Sequence, residues 1–498
     1  MKRFQKMIKS MTAGALVVFL CVLAVMPAFS MGFHAIPGAS ASGAAPFGEQ
    51  SVLQVESLKV CIDIPEAPEG LYENEQKIWE SYVSFTSRYA LYNPTDARVI
   101  ETVAIPFGKL PDYTYDEDDT NPVLPYPGAY TLTFRGQSLT PAVRHTLAYD
   151  AQRNDQFEEL VDSAWYKTKP ISDTKMTDEI LFPNQKVYVY TYRVSNPDAV
   201  QGSEFKLLSE PMDMLDPSVA CVYLAPGSQS EGRLLGYADQ DGETFEVCVI
   251  GKDTGELTWQ AMTWGDEILI DSITVSLQGK SETTFGDLAM TYYTPDCGAS
   301  EVDWYNAVYC YFAHNTTRNG IVDAFKPGTH DITDYLQGWL LYEITLEPYE
   351  HAELVTSTPA FPDIINIYEP YVYEYAYDLK GLSRFASVGT VELTVNTPCP
   401  TVEHSSYNGY QVPAGEYTLT LDRIEKETIL FSICEKEQPA NVVSAMVYGA
   451  LGTILLIGLG LLVLIGILIA VAIMTVFVII RVIKRKKAGK TADVGTEE

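Results

Sequence analysis

Histidine and basic residues are scarce in this chain, and each scarcity removes a class of function. The six histidines, at 34, 145, 314, 330, 351 and 404, include no HExxH and no pair at i and i+4, and the cysteines form no pairs at zinc spacing. A dedicated transition-metal site is therefore not expected. No GxSxG elbow and no Walker-type glycine loop occurs, so nucleophilic hydrolases and nucleotide-binding proteins lack their usual anchors. Catalytic groups brought together from distant positions leave no such motif, so the enzyme question stays open and leans towards no. Lys and Arg number 34 against 65 Asp and Glu, a formal net charge of −31. Nucleic acid, whose phosphates need a basic surface, is not an expected partner.

The cations that are present sit mostly at the two ends. Lys2, Arg3, Lys6 and Lys9 precede an uncharged apolar run from Ala13 to Ala28, which ends in the small-residue spacing of a secretory cleavage site. Residues 1–30 thus read as a signal peptide cut after Ser30. Residues 442–480 form a 39-residue uncharged run, whereas about 20 residues suffice to cross a bilayer. Arg481, Lys484, Arg485, Lys486, Lys487 and Lys490 follow, which places the C-terminus in the cytoplasm. The expected topology is a single-pass protein of the cell membrane, with residues 31–441 outside and a basic tail, 481–498, inside. Without its ends the exterior holds 24 Lys and Arg against 62 Asp and Glu, close to −38. Solubility, cation binding or a basic partner would each account for that charge. Ala445, Gly449 and Thr453 repeat at four-residue spacing in the span, so self-association through the membrane helix is a further expectation.

Eight cysteines shrink to seven outside once Cys21 leaves with the signal peptide. An oxidising exterior permits disulfides, and an odd count leaves at least one thiol over. Cys399 with Cys434 could close the last hairpin region, and Cys297 with Cys310 could clip a loop to a helix. Unpaired cysteines buried in a core are the alternative.

Residues 31–48 are small and turn-rich and read as a flexible leader. Beyond them short alternating runs dominate: Val52–Ile64, Tyr82–Tyr92, Val99–Ile105, Tyr130–Arg135, Lys186–Val194, Thr244–Ile250, Ile268–Leu277, Leu340–Leu346, Tyr371–Leu379, Thr390–Val395, Tyr417–Leu421 and Thr428–Ile433. Turn pairs such as Asn93-Pro94 and Asp241-Gly242 separate them, which predicts mainly antiparallel β structure. Two segments, Asp155–Trp165 and Ser300–Phe312, read as short helices, the second with Ser300 and Asp303 at capping spacing. The length outside suggests two sandwich-like modules, 49–205 and 206–440.

Two features carry candidate chemistry. Asp116, Asp118 and Asp119 lie in an acidic loop closed by Asn121-Pro122, and if calcium binds anywhere, their carboxylates are the expected ligands. A solvated loop is the alternative. Tyr371, Tyr373, Tyr375 and Tyr377 fall on one face of a strand, as do Tyr188, Tyr190 and Tyr192, because side chains two apart point the same way. Such a face could present rings to a sugar or peptide, or form the half-buried side of a sheet.

The stretches VESLKVCIDIP, RYALYNPTDARVIETVAIPFGKLPDY and YEYAYDLKGLSRFASVGTVELTVNTP resemble segments of uncharacterised single-pass surface proteins of Gram-positive bacteria. That resemblance implies an envelope location and carries over no functional residue. The leading expectation is a non-catalytic, membrane-anchored binding or scaffolding protein whose partner is a surface protein or an envelope glycan. An anchored hydrolase of envelope or host polymers is the second reading. A sensor subunit that signals through a partner in the membrane is the third.

Overall fold

The computed structural model describes residues 41–48, 50–64, 83–107, 127–147, most of 171–441, and 468 and 471–482. The acidic loop with Asp116, Asp118 and Asp119, the expected helix at 155–165, the signal segment and most of the expected span lie outside these residues. The chain divides into a large unit, 36–364 with 373–437, and a small one, 1–35 with 365–372 and 438–498.

In the large unit the N-terminal strands are β1 (Ala41–Ser42), β2 (Ala45–Pro46), β3 (Gln54–Asp63), β4 (Val83–Tyr92), β5 (Val99–Phe107), β6 (Thr131–Phe134), β7 (Gln137–Ser138) and β8 (Ala142–Leu147). A middle group follows: β9 (Lys186–Ser195), β10 (Phe205–Ser209), β11 (Ala220–Ala225), β12 (Gly227–Ser230), β13 (Arg233–Gly236), β14 (Thr244–Gly251), β15 (Trp259–Thr263) and β16 (Thr274–Thr284), then helices α1 (Phe285–Met290) and α2 (Glu301–Asn315). The C-terminal group is β17 (Leu336–Leu346), β18 (His351–Ala360), β19 (Asp363–Ile365), β20 (Tyr368–Glu369), β21 (Val372–Asp378), β22 (Ser387–Asn396), β23 (Thr401–Val402), β24 (Tyr410–Gln411), β25 (Thr418–Leu421), β26 (Thr428–Ile433) and β27 (Ala440–Asn441), of which β20 and β27 belong to the small unit. The mainly β reading holds.

The first and last groups share sheets. One has the order β25-β22-β3-β4-β18-β6-β7 and another β2-β5-β17-β8. β3 pairs with β4 and β6 with β7 inside residues 49–205, but β5 pairs residue by residue with β17 and β3 with β22, so these residues are also tied to the C-terminal strands. The middle group instead makes its own sheets, β12-β13-β10-β15 and β11-β14-β9-β16. The middle group is thus inserted in sequence between two groups that share sheets. The β3–β22, β1–β21 and β24–β26 pairings are parallel, so the sheets are mixed where distant chain segments meet.

Three buried clusters follow this division. The strands at the two ends of the chain enclose Leu58, Phe85, Tyr89, Trp339, Tyr377 and Phe431, while the insertion has a cluster under α2 and another between its sheets. Helix α2 begins as its sequence predicts: the Asp303 N–H donates to Ser300 Oγ at 3.1 Å.

Residues 41–48, read from composition as part of a flexible leader, run through the core instead. Ala41 to Pro46 are all buried, β1 pairing with β21 and β2 with β5. Their small side chains suit a narrow passage. A Cβ at Gly43 would collide with the hydroxyls of Tyr89 and Tyr377.

In the small unit β20 pairs antiparallel with β27. Residues 471–482 are helical, and Val471, Met474, Phe477, Ile480 and Val482 are all exposed. Among the described residues no helix is long and apolar enough to cross a membrane.

Candidate functional site: the outer face of the β10 sheet

Alternation sorts the side chains of the β12-β13-β10-β15 sheet. Phe205 and Leu207 of β10, Leu234 of β13 and Ala261 of β15 belong to the buried cluster between the insertion's sheets. Lys206 and Met262 are register partners on the other face, as are Leu208 and Gln260, since successive side chains point to opposite sides. Tyr237 directly follows β13, whose Gly236 pairs with Leu207, so it comes alongside Lys206. Trp264 follows β15 and lies two positions beyond Met262, on the same face. The two rings meet there, centroids 6.0 Å apart and planes 17° from parallel. Lys206 is only 8% exposed, and its Nζ lies 5.9 Å from the centre of the Trp264 ring.

A tight return extends this face. The Thr263 N–H donates to Ile268 O, the Ile268 N–H to Thr263 Oγ1 and the Ile270 N–H to Ala261 O. Leu269 bridges antiparallel to Met262 and so shares its face. Ile268 is 60% exposed, Leu269 50%, Trp264 41% and Tyr237 37%. Ile268, one residue before Leu269, points to the other side by the same alternation, so four large apolar side chains are exposed around this one strand end, whereas single exposed apolar residues are commonplace. Trp and Tyr are also the residues that most often dominate binding energy in protein interfaces.

Sequence reasoning passed over this patch. It read Ile268 as the start of a strand running to Leu277, whereas the strand begins at Thr274. The available signal was the run Thr263-Trp-Gly-Asp-Glu-Ile-Leu269, in which a glycine and two acidic residues have an aromatic residue on one side and two aliphatic residues on the other.

The expected aromatic face divides. Tyr373, Tyr375 and Tyr377 are buried, and only Tyr371 is exposed. Strand β21 is covered on both sides, with Val372, Glu374 and Asp378 buried as well, so its three tyrosines fill the core rather than meet a ligand. The Tyr375 ring stacks on Phe431, and Tyr377 Oη lies 2.7 Å from Ser87 Oγ. In the other ladder, Tyr190 and Tyr192 are buried too. Asp253 accepts from the Tyr190 hydroxyl and from Lys280 Nζ, with the Gly255 N–H at 3.0 Å. These donors, Lys280 first, lower the carboxyl to about 2 and pin the turn after β14 across the ladder.

Neither expected disulfide forms. Cys399 is a free thiol in the described structure. The Cys434 N–H donates to Pro400 O, which aligns Cys434 with Pro400 and leaves Cys399 one position out of step. Cys310 Sγ lies 3.9 Å from the Met176 sulfur rather than bonded to Cys297.

A second polar cluster joins the insertion to β8. Arg144 grips Asp303 with Nε at 3.1 Å and Nη2 at 2.9 Å, and the His145 N–H donates to Asp303 Oδ2 at 3.0 Å. Asp303 is buried, whereas Arg144 is partly exposed and its Nη1 also reaches the exposed Asp173, so this is a bidentate pair whose carboxylate alone is shielded from solvent. The Asp303 hydrogen bonds raise the Arg144 pKa, and burial lowers that of His145. Asn306 Oδ1 accepts from the Met176 N–H, tying residues 172–176 to α2. These contacts fasten a helix to a strand. Among the described residues no group of His, Cys, Asp and Glu could hold a metal ion.

No protein-family model matches the sequence, and no curated protein matches it. A crystal structure from Legionella pneumophila subsp. pneumophila, described as a "putative nutrient binding protein", is similar at a TM-score of 0.31 and 8% identity, covering 80% of this chain and 71% of that one. A score of that size does not establish a shared fold.

Proposed function

We propose that this chain is a non-catalytic binding protein of the cell envelope, anchored by a single span, whose contact surface is the patch of Tyr237, Trp264, Ile268 and Leu269. The observation that carries the reading is the concentration of these four exposed side chains around one hairpin of a strongly acidic exterior. The partner class it suits is a protein with an apolar pocket and a basic rim. Burying such residues yields about 1.5–3 kcal/mol each, and charge of opposite sign speeds the encounter. The uncharged run 442–480, the basic residues after it and the exposed apolar side chains of residues 471–482 support the anchor.

Two experiments test this reading. Proteolysis of intact cells should remove epitopes within 31–441 and leave an epitope at 491–498 intact; an ectodomain protected from the protease would reverse the orientation. Immobilised 31–441 should retain an envelope protein that the Trp264→Ala, Ile268→Asp double variant does not. Equal retention by both would move the contact elsewhere.

A further inference from the structure

The buried N-terminal segment points to a site the sequence does not announce. Residues 41–48, Ala-Ser-Gly-Ala-Ala-Pro-Phe-Gly, join the edges of two sheets. Ala41 and Ser42 lie parallel to Tyr377 and Asp378, and Ala45 and Pro46 lie antiparallel to Ala104 and Val103. The Phe47 N–H donates to Thr102 O at 2.9 Å, and its ring meets Trp339 edge-on at 5.3 Å. Arg384 Nη1 donates to the carbonyl oxygens of Phe47 and Gly48. Without the segment, β21, which keeps β19 and β26, would lose its partner at Tyr377 and Asp378, and β5 would lose its partner at Val103 and Ala104, leaving the kind of open edge that recruits another strand.

We propose that the slot between β21 and β5 is a strand-acceptor site, and that its second occupant is residues 41–47 of another copy of this chain, exchanged for the copy's own. Two observations support exchange. The segment carries no charge, so the like charge of two acidic ectodomains does not act within the slot. Nothing lies within 4 Å of the position a Cβ would take at Gly48, so the joint to the rest of the chain has room to turn. A segment from either source makes the same contacts, which leaves only entropy and repulsion between copies to separate the closed and exchanged forms. Salt screens that repulsion, so raised ionic strength favours exchange.

The test uses two separately tagged ectodomains, one Ala45→Cys and the other Ala104→Cys. These positions face each other in the β2–β5 ladder, so a disulfide between copies requires exchange. Expected is a covalent heterodimer that depends on both introduced cysteines and increases at least threefold with salt and with protein concentration. A chain carrying both substitutions serves as the geometric control and should close on itself in dilute solution. Closure of the control with no heterodimer at any concentration overturns the proposal; failure of the control to close overturns the slot geometry and the proposal with it.

Discussion

Tyr237 and Trp264 come from different strands and stack 6.0 Å apart beside the nearly buried Lys206. The pair interacts across β10, so each ring holds the other in place and lowers the entropy lost when a partner lands on it. Trp264→Ala should weaken partner binding by about 2 kcal/mol, roughly thirtyfold, because it removes a central aromatic anchor. The melting temperature should barely move, since substitutions at exposed positions usually stay within about 0.5 kcal/mol. Titration calorimetry against the captured partner, with thermal melts alongside, checks both halves. A large loss of stability with affinity unchanged would make the stack structural.

Arg144 and Asp303 form the opposite kind of contact, an ion pair with a buried carboxylate that joins β8 to α2. Arg144→Ala leaves the Asp303 carboxylate buried with its principal donor gone and should cost about 3–5 kcal/mol. Arg144→Met with Asp303→Leu should recover part of that, though not all, because Asp303 also accepts the His145 N–H. Chemical denaturation of the two single variants and the double measures the coupling. Additive losses would show that the pair contributes little beyond its separate side chains.

How much of this was legible depends on what each strand faces. Strands β3, β4, β9, β21 and β26 follow the sequence reading to within two residues at either end, since their inward positions are apolar or aromatic and their ends are turn residues. Strand β18 escaped it although it sits between β4 and β6. Its inward face reads Leu354, Thr356, Thr358 and Ala360, and two buried threonines break the apolar alternation. The nested layout was hidden because pairing between residues 99–107 and 338–346 leaves no local signal. Residues 41–48 look like a linker for the reason they fit the core: they are small. The contact patch is a tertiary feature, and Tyr237 joins Trp264 only through the register of β13 and β15 on β10.

His145 gives the fold a pH dependence. It is buried, its Nδ1 has no hydrogen-bond partner among the described residues, and burial lowers its pKa even though Asp303 beside it acts in the other direction. A depressed histidine contributes stability that is present above the unfolded value of about 6.5 and is lost as pH falls through the folded value. Denaturation midpoints should therefore decline on acidification below about pH 6.5, and His145→Gln should flatten that limb. Identical slopes in the two proteins would exclude His145 as the source.

Cys221 and Cys248 should act on the alkaline side. Burial pushes both thiols up to about 12. A raised thiol stabilises the fold fully below its unfolded value of about 8.5, and that contribution fades as pH climbs towards the folded one. In the native protein at neutral pH a maleimide should label the part-exposed Cys61 and leave these two unmodified until denaturant is added, as peptide mapping would show. Rapid native labelling of either would mean that the sheet β11-β14-β9-β16 opens readily.

Gly43 tests the path of the N-terminal segment. Gly43→Ala should destabilise the fold by about 1–3 kcal/mol through overpacking against the Tyr89 and Tyr377 hydroxyls. Adding Tyr89→Phe should restore part of the loss by removing one of the two oxygens. A neutral Gly43→Ala in thermal denaturation would show that the segment does not run between them.

The central claim is that the hairpin patch meets a protein partner outside the cell. A photoreactive residue at Ile268 in the full-length chain, irradiated in intact cells, tests it most directly, with Tyr349, equally exposed on the β17–β18 turn, as the control position. The account predicts one discrete adduct from position 268, none from 349, and loss of that adduct when Trp264→Ala is introduced. No adduct at 268, or equal adducts from both positions, would contradict it.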